Sequence, residues 1–373
     1  MMPRMKICIW TVMPNHYMGA FFAALRAQGV DLTVCYLQCV DDSRRAMNWT
    51  DPDTLPAGEY RVRSVEEAWR AIPDWKQRIH ILTTYTSWLH WKVLAALVRN
   101  DVAWAHWSEA SFGRVRSLPT RLAYGFAIRR YALGAFAIGN RAIRDFIRWG
   151  IPRDRIALLP YSTPPENPDV VAEEKTKAFT GDGIGFVFCG SLCRRKSTDV
   201  LLRAFDAVNQ RHPHAKLILV GNDASNGLVQ QELARMRNAS SVLLRGPVAP
   251  EKIGSVYAAA HVCVLPSRRD GWGVALAEGA RHELALIGSD VCGATEHVIE
   301  PWVNGLVVRA GNQRDLEDAL SLYAADPELC HAHGAASKRL HEACSASVNA
   351  GRFRNAIMGW MQADRLKTND IDD

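Results

Sequence analysis

The 373-residue sequence contains no run of about 18 apolar residues, so it offers no transmembrane helix. It has no G-x-x-x-x-G-K-[ST] loop, and no G-x-G-x-x-G follows its first strand-like segment. A simple nucleoside triphosphatase and a standard dinucleotide dehydrogenase are therefore disfavoured. No long repeat and no low-complexity tract is present. The nine cysteines are odd in number and scattered, which makes no disulfide framework and favours a reduced, cytoplasmic compartment. Cys35/Cys39 and Cys189/Cys193 each lack two further ligands of equal quality nearby, so core or loop thiols are expected, with no bound metal and no cofactor. The first 13 residues hold an apolar run too short and too interrupted for a signal peptide.

What is present is ordinary globular composition, 48% hydrophobic and 23% charged. The 45 basic and 39 acidic side chains give a net charge of +6, which suits anionic partners without choosing among them. Short β-branched runs alternate with helical patterns. The expected strands of the first half are Lys6–Trp10, Asp31–Leu37, His80–Leu82, Asp101–Ala105, Ala135–Ile138 and Arg155–Leu159. Those of the second are Gly185–Cys189, Lys216–Val220, Ser241–Leu244, His261–Leu265, Ala285–Gly288 and Gly305–Val308. Val200, Leu201, Ala204, Phe205 and Val208 fall on one helical face between two of these strands.

The alternation implies an α/β protein with parallel sheets and crossover helices. Four prolines between Pro160 and Pro168 mark a linker. Two doubly wound Rossmann-like domains facing a cleft are expected, over residues 1–162 and 163–345, with a C-terminal helix at 346–363 that can pack back on the first. Ligands in such sheets bind beyond the carboxyl ends of the strands.

The densest chemistry is the stretch from Pro266 to Glu278, which follows an apolar run and opens a helix. Gly271 and Gly273 permit close backbone approach, and the amides from Gly271 to Val274 suit a phosphate. Glu278 can hold two adjacent hydroxyls, as on a ribose, and Asp270 can reach a sugar ring. A capped helix with an exposed acid explains the same residues equally well.

Asp270-x7-Glu278 resembles the Glu-x7-Glu motif of the retaining GT-B glycosyltransferases, family 4. The flanks agree in order and spacing over residues 184–320. Gly190-Ser-Leu-Cys-Arg-Arg-Lys196-Ser resembles G-R-L-x-x-x-K-G, and the run from Leu217 through Gly221 to Asn222 resembles L-x-I-V-G-x. Val256 to Ser267 resembles L-Y-x-x-A-D-V-F-V-L-P-S, and Gly288-Ser-Asp-Val-Cys-Gly293 resembles the S-D-V-G-G turn. Three departures stand out: Asp270 for the first Glu, Ser191 for an Arg, and Glu283-Leu-Ala285 for the Gly-x-Pro after the motif helix.

The resemblance implies a metal-independent, retaining transferase of the GT-B fold that uses a UDP- or GDP-sugar donor and a glycan or lipid-linked acceptor. Donor contacts carried over are Gly190, Ser191, Arg195, Lys196, Asn222, Gly271, Trp272, Gly273, Val274 and Glu278, with the base beside Val248 and Ile253. His106, Lys196, Asp270 and Glu278 carry the catalytic assignments, and Asn15 and His16 the acceptor side. A lone His106 between tryptophans is equally a packed residue. A sugar-nucleotide epimerase of the same fold and a non-catalytic nucleotide-sugar-binding subunit are the alternatives.

Between Arg114 and Arg148 lie eight arginines and one acid, Asp145, interleaved with Leu118, Leu122, Tyr124, Phe126, Ile128 and Tyr131. This reads as a solvated helix face over core, or as a surface for anionic lipid headgroups at the inner face of a membrane. No nucleic-acid motif accompanies the arginines, so no nucleic-acid partner is expected.

Overall fold

The computed structural model of the protein describes residues 4–110, 118–163 and 183–369. Arg114, Arg116 and the linker prolines from Pro164 onward lie outside the described residues. The chain divides into two compact units: residues 1–41, 50–164 and 345–373 form one, and residues 42–49 and 165–344 the other. The short segment Asp42–Trp49 thus belongs to the second unit, although its neighbours on both sides belong to the first.

The first unit holds a seven-stranded sheet of β1 (Lys6–Thr11), β2 (Asp31–Tyr36), β3 (Glu59–Arg61), β4 (Ile79–Leu82), β5 (Trp104–Glu109), β6 (Ala135–Ile138) and β7 (Ile156–Leu158). The order is β3-β2-β1-β4-β5-β6-β7, with every pair parallel. The second unit holds β8 (Gly185–Cys189), β9 (Lys216–Val220), β10 (Val242–Gly246), β11 (Val262–Leu265), β12 (Ala285–Ser289) and β13 (Gly305–Val308) in the order β10-β9-β8-β11-β12-β13. Its pairs are also all parallel. Central strands are buried at every residue because helices cover both faces, which is why their sequences are continuously apolar rather than alternating.

Each sheet reverses its winding once, between β1 and β4 and between β8 and β11. At such a switch point the two following loops leave in opposite directions and open a crevice. The helix Thr198–Arg211 covers the second sheet through Val200, Leu201, Ala204, Phe205 and Val208, all buried as their periodicity predicts.

The helix Ala346–Asn369 completes the first unit. Phe353 stacks on Phe136 at 4.8 Å, Trp360 lies 4.8 Å from the same ring, and the indole N–H of Trp360 donates to the Asp154 carbonyl. Asn349 donates to the Pro160 carbonyl and the Ser162 hydroxyl.

One strand expectation is corrected, and one strand, β3, is unexpected. β5 begins at Trp104, because the helix Trp88–Arg99 ends in a tight turn with Asp101 in the left-handed region and Val102 bonded back to Leu97. The three-residue edge strand β3 carries too short a pattern to register in sequence.

Candidate functional site

The loops after β8 and β11 flank the switch point of the second sheet, and they are tied together. The amide of Arg268 donates to the Arg195 carbonyl at 2.9 Å, and the Arg195 guanidinium donates to the Arg269 carbonyl at 3.1 Å. Arg268 Nη1 also donates to the Arg194 carbonyl at 2.7 Å. Both terminal nitrogens of the Arg268 guanidinium, Nη1 and Nη2, then reach the buried Asp199 on the Thr198–Arg211 helix.

This frame brings Lys196 and Asp270 into direct contact: the Lys196 ammonium donates to Asp270 Oδ2, and both side chains are close to nine-tenths buried. Ser267 Oγ lies 3.5 Å from the same carboxylate oxygen. Asp270 extends backbone pairing to Cys292 in the turn after β12. The Cys292 thiol donates to the Trp272 carbonyl at 2.8 Å, and Ala294 N–H donates to it at 2.6 Å. Gly273 stands in the left-handed region, where a Cβ would collide with Cys292 Sγ. The indole of Trp272 is buried beside His297.

Glu278 lies on the helix Val274–Arg281, half-buried, and accepts from the Tyr257 hydroxyl at 2.8 Å. Burial pushes the Tyr257 phenol well up, so it remains a donor. Tyr257 stacks on His282 at 5.5 Å. Val248 and Ile253 are half-buried just beyond β10.

On the other side of Lys196, Gly190 and Gly221 pack backbone to backbone; a Cβ on Gly221 would collide with the Gly190 carbonyl. Leu192 N–H donates to Asn222 O, continuing the pairing of β8 with β9 past both strand ends. Ser191 Oγ–H and Asn222 N–H both point at Met47 Sδ, at 3.7 and 3.4 Å. Asn222 Oδ1 is enclosed and has no hydrogen-bond partner. Ser197 takes a left-handed φ of 60°, where the resembling motif has glycine.

The first unit places its expected residues differently. His106 is not beyond its strand but is the third residue of β5, paired with Leu82 and Ala135. Its ring is enclosed by Tyr85, Tyr124 and Phe146, and Nε2 meets Ser108 Oγ at 2.8 Å. Burial pushes its pKa down to about 3, so the imidazole is neutral. Asn15 caps the helix His16–Ala27, accepting from Met18 N–H at 2.8 Å, and His16 opens that helix beside Tyr17.

Sequence reasoning passed over Arg268, Asp199, Tyr257, Cys292 and Met47. Tyr257 and Cys292 lie inside two of the motifs named above; nothing local marks Arg268 as the partner of Asp199.

Residues 183–326 match the family described as Glycosyl transferases group 1. D-inositol 3-phosphate glycosyltransferase of Corynebacterium jeikeium is 30% identical over 158 residues, 40% of this chain and 37% of that protein. Sucrose-phosphate synthase of Thermosynechococcus elongatus superposes over 96% of this chain and 100% of its own, with a TM-score of 0.72 and 19% identity. Anabaena HepE, solved in complex with UDP, superposes over 95% of this chain and 100% of its own, with a TM-score of 0.75 and 12% identity. The fold is GT-B. The match to the curated relative covers little more than a third of that protein; the family match, residues 183–326, is the one that spans Lys196, Asp270 and Glu278.

Proposed function

We propose that the protein is a retaining glycosyltransferase that moves a sugar from a UDP- or GDP-linked donor to a hydroxyl of a glycan or lipid-linked acceptor. The observation that carries this is the meeting of Lys196 and Asp270 at the switch point of a GT-B nucleotide half, with Glu278 about one turn into the site helix. The donor diphosphate binds Lys196 and the amides of the Gly271–Val274 segment, and the ribose binds Glu278. Arg195 supplies charge where Ser191 leaves none.

In the reaction the bond between the sugar C1 and the β-phosphate oxygen breaks, and a bond from C1 to the acceptor oxygen forms on the same face. The acceptor proton passes to the departing phosphate oxygen. Charge grows on that oxygen, and Lys196 meets it. Asp270 orients the sugar. His106, enclosed and neutral, is a positioning residue that supports the carboxyl end of β5 through Ser108.

We also assign a peripheral membrane surface to the first unit. On the helix Leu118–Tyr131, Leu122, Phe126 and Tyr131 are exposed among arginines, with Arg129 over the Phe126 ring and Arg130 over the Tyr131 ring. Apolar rings within a basic face suit an anionic headgroup layer.

The deciding experiment incubates the protein with UDP- and GDP-sugars and follows the released sugar by NMR. A free sugar of the donor's own anomeric configuration supports the reading. An inverted first product, an epimerised nucleotide sugar, or binding with no turnover under any donor and acceptor overturns it.

A further inference from the structure

The segment Asp42–Trp49 stands against the loops that follow three neighbouring strands of the second sheet. Met47 meets Ser191 after β8 and Asn222 after β9, and Asn48 Nδ2 donates to the Pro247 carbonyl after β10 at 2.8 Å. The segment begins with the one-turn helix Asp42–Arg45 and ends at Trp49, under the Arg44 guanidinium.

The chemistry at Met47 is mismatched. Two good donors, a hydroxyl and a backbone amide, converge on one thioether sulfur, which is a weak acceptor. Beside them Asn222 Oδ1 is an enclosed acceptor with no partner, although buried amide oxygens normally find one. Two donors and an acceptor grouped at the carboxyl ends of β8 and β9 fit an anionic oxygen with a neighbouring hydroxyl or N–H. They fit a methionine poorly.

We infer that Met47 is a place-holder in the donor pocket: its sulfur takes the position of a nucleoside diphosphate oxygen on Ser191 and Asn222, and the Asp42–Trp49 strap must withdraw for the donor to bind. The inference rests on the glycosyltransferase reading above and adds an entry-controlling residue to it. Donor affinity is then an exchange. The weak contacts to sulfur are given up, charge-assisted bonds to phosphate replace them, and the orphan Asn222 oxygen gains a partner. The strap holds affinity below what the open pocket provides, because the competent state is only a fraction of the population.

The test is calorimetric titration of the full-length protein with UDP and, separately, GDP. Met47→Ala should tighten binding of whichever nucleotide the protein takes, by about fivefold for an exchange worth about 1 kcal/mol. Met47→Leu, which keeps the bulk, should bind within about twofold of the parent protein. Ser191→Ala should weaken binding and also shrink the gain from Met47→Ala in the double variant, because the hydroxyl released by the first change is then missing. If Met47→Ala folds by circular dichroism and binds equally or more weakly, the place-holder role is wrong and Met47 is a plain packing or donor contact. If Met47→Ala does not fold, the Met47→Leu/Ser191→Ala cycle decides: the proposal predicts no change on Met47→Leu in either background, and a loss of affinity from Met47→Leu overturns it. Failure of the parent protein and every variant to bind either nucleotide sinks the glycosyltransferase reading itself. Binding without a Met47 effect sinks only the strap.

Discussion

Arg268 grips Asp199 with two parallel bonds, Nη1 to Oδ1 at 2.7 Å and Nη2 to Oδ2 at 3.0 Å, while the same Nη1 reaches the Arg194 carbonyl. Burial opposes ionisation of Asp199, but the bidentate guanidinium outweighs it and holds the carboxyl below the usual range. This contribution is present above the ordinary carboxylate pKa and is lost as pH falls through the depressed one. One arginine thus fixes the loop of Lys196 and the loop of Asp270 relative to each other. Arg268→Lys keeps the charge but loses the fork. It should lower kcat/KM for the donor while leaving the protein folded, and Asp199→Asn should do the same. Steady-state kinetics would check this; unchanged kcat/KM in both variants would remove Arg268 from the frame.

The Lys196–Asp270 pair predicts a split between stability and activity. Lys196→Ala leaves a nearly buried carboxylate without its partner and should cost about 3 kcal/mol of folding stability. Adding Asp270→Asn should recover part of the stability and none of the turnover. Separately, Glu278→Gln should weaken free UDP or GDP, whereas Asp270→Asn should leave that affinity nearly intact and cut sugar transfer. Equal losses of nucleotide affinity in the two variants would show that the roles are misassigned.

Ser197 is strained. Its φ of 60° costs a side-chain-bearing residue about 1 kcal/mol, and its enclosed hydroxyl has no partner. Ser197→Gly should raise stability by about 1 kcal/mol, read as a shift in urea midpoint with unchanged m-value. A destabilised variant would mean that the hydroxyl is satisfied in solution.

Three buried histidines make the first unit sensitive to acid. Burial pushes His80 and His90 down to about 4 and His106 to about 3. His80 Nδ1 accepts from the Trp10 indole at 2.9 Å, and a proton there would break that bond. Because the folded-state values lie below the ordinary histidine value, the unfolded chain binds more protons between pH 6.5 and 4. Stability should be full above that window and fall through it, by up to about 1.4 kcal/mol per pH unit for each histidine. Urea denaturation from pH 8 to pH 4, compared with His80→Gln, would show whether the slope belongs to these groups. A flat profile would refute the assignment.

For the membrane surface, binding to vesicles of anionic lipid should be strong at low salt and weaken as salt rises. Phe126→Ser should weaken it further at every salt concentration, since the ring is exposed and buries apolar area only on docking. Equal binding to neutral vesicles, or none to anionic ones at low salt, would refute the assignment.

The strands of the second unit were legible almost to the residue, because buried parallel strands are continuous β-branched runs bounded by glycine and polar turns. Lys196, Asp270 and Glu278 were legible as a set because each stands at a fixed place in a strand–loop–helix motif. Their partners were not. Whether Lys196 faces solvent or Asp270 depends on two loops 74 residues apart, and only sheet order brings these together. His106 falls just past the expected strand Asp101–Ala105 because the left-handed turn at Asp101 shifts the start of β5 by three residues, and a single non-glycine left-handed residue leaves little trace in sequence. The reach of Asp42–Trp49 had no local signal at all, since its residues are ordinary for a surface loop.

The helix Ala346–Asn369 has a bearing on how the protein is made. It supplies Phe353 and Trp360 to Phe136, a strand residue synthesised roughly 200 residues earlier, at ordinary elongation rates some 10–40 s before. A Cβ on Gly134 would lie 2.5 Å from the Trp360 ring, so the groove is cut to receive that indole. On the ribosome, therefore, nearly all of the second unit emerges while the first still lacks its closing helix, and Phe136 waits uncovered. Nascent chains stalled at Asp373, with the final helix still inside the exit tunnel, should show a protease-resistant second unit and a labile first one, and resistance of the first should appear only once a C-terminal extension has carried that helix out of the tunnel.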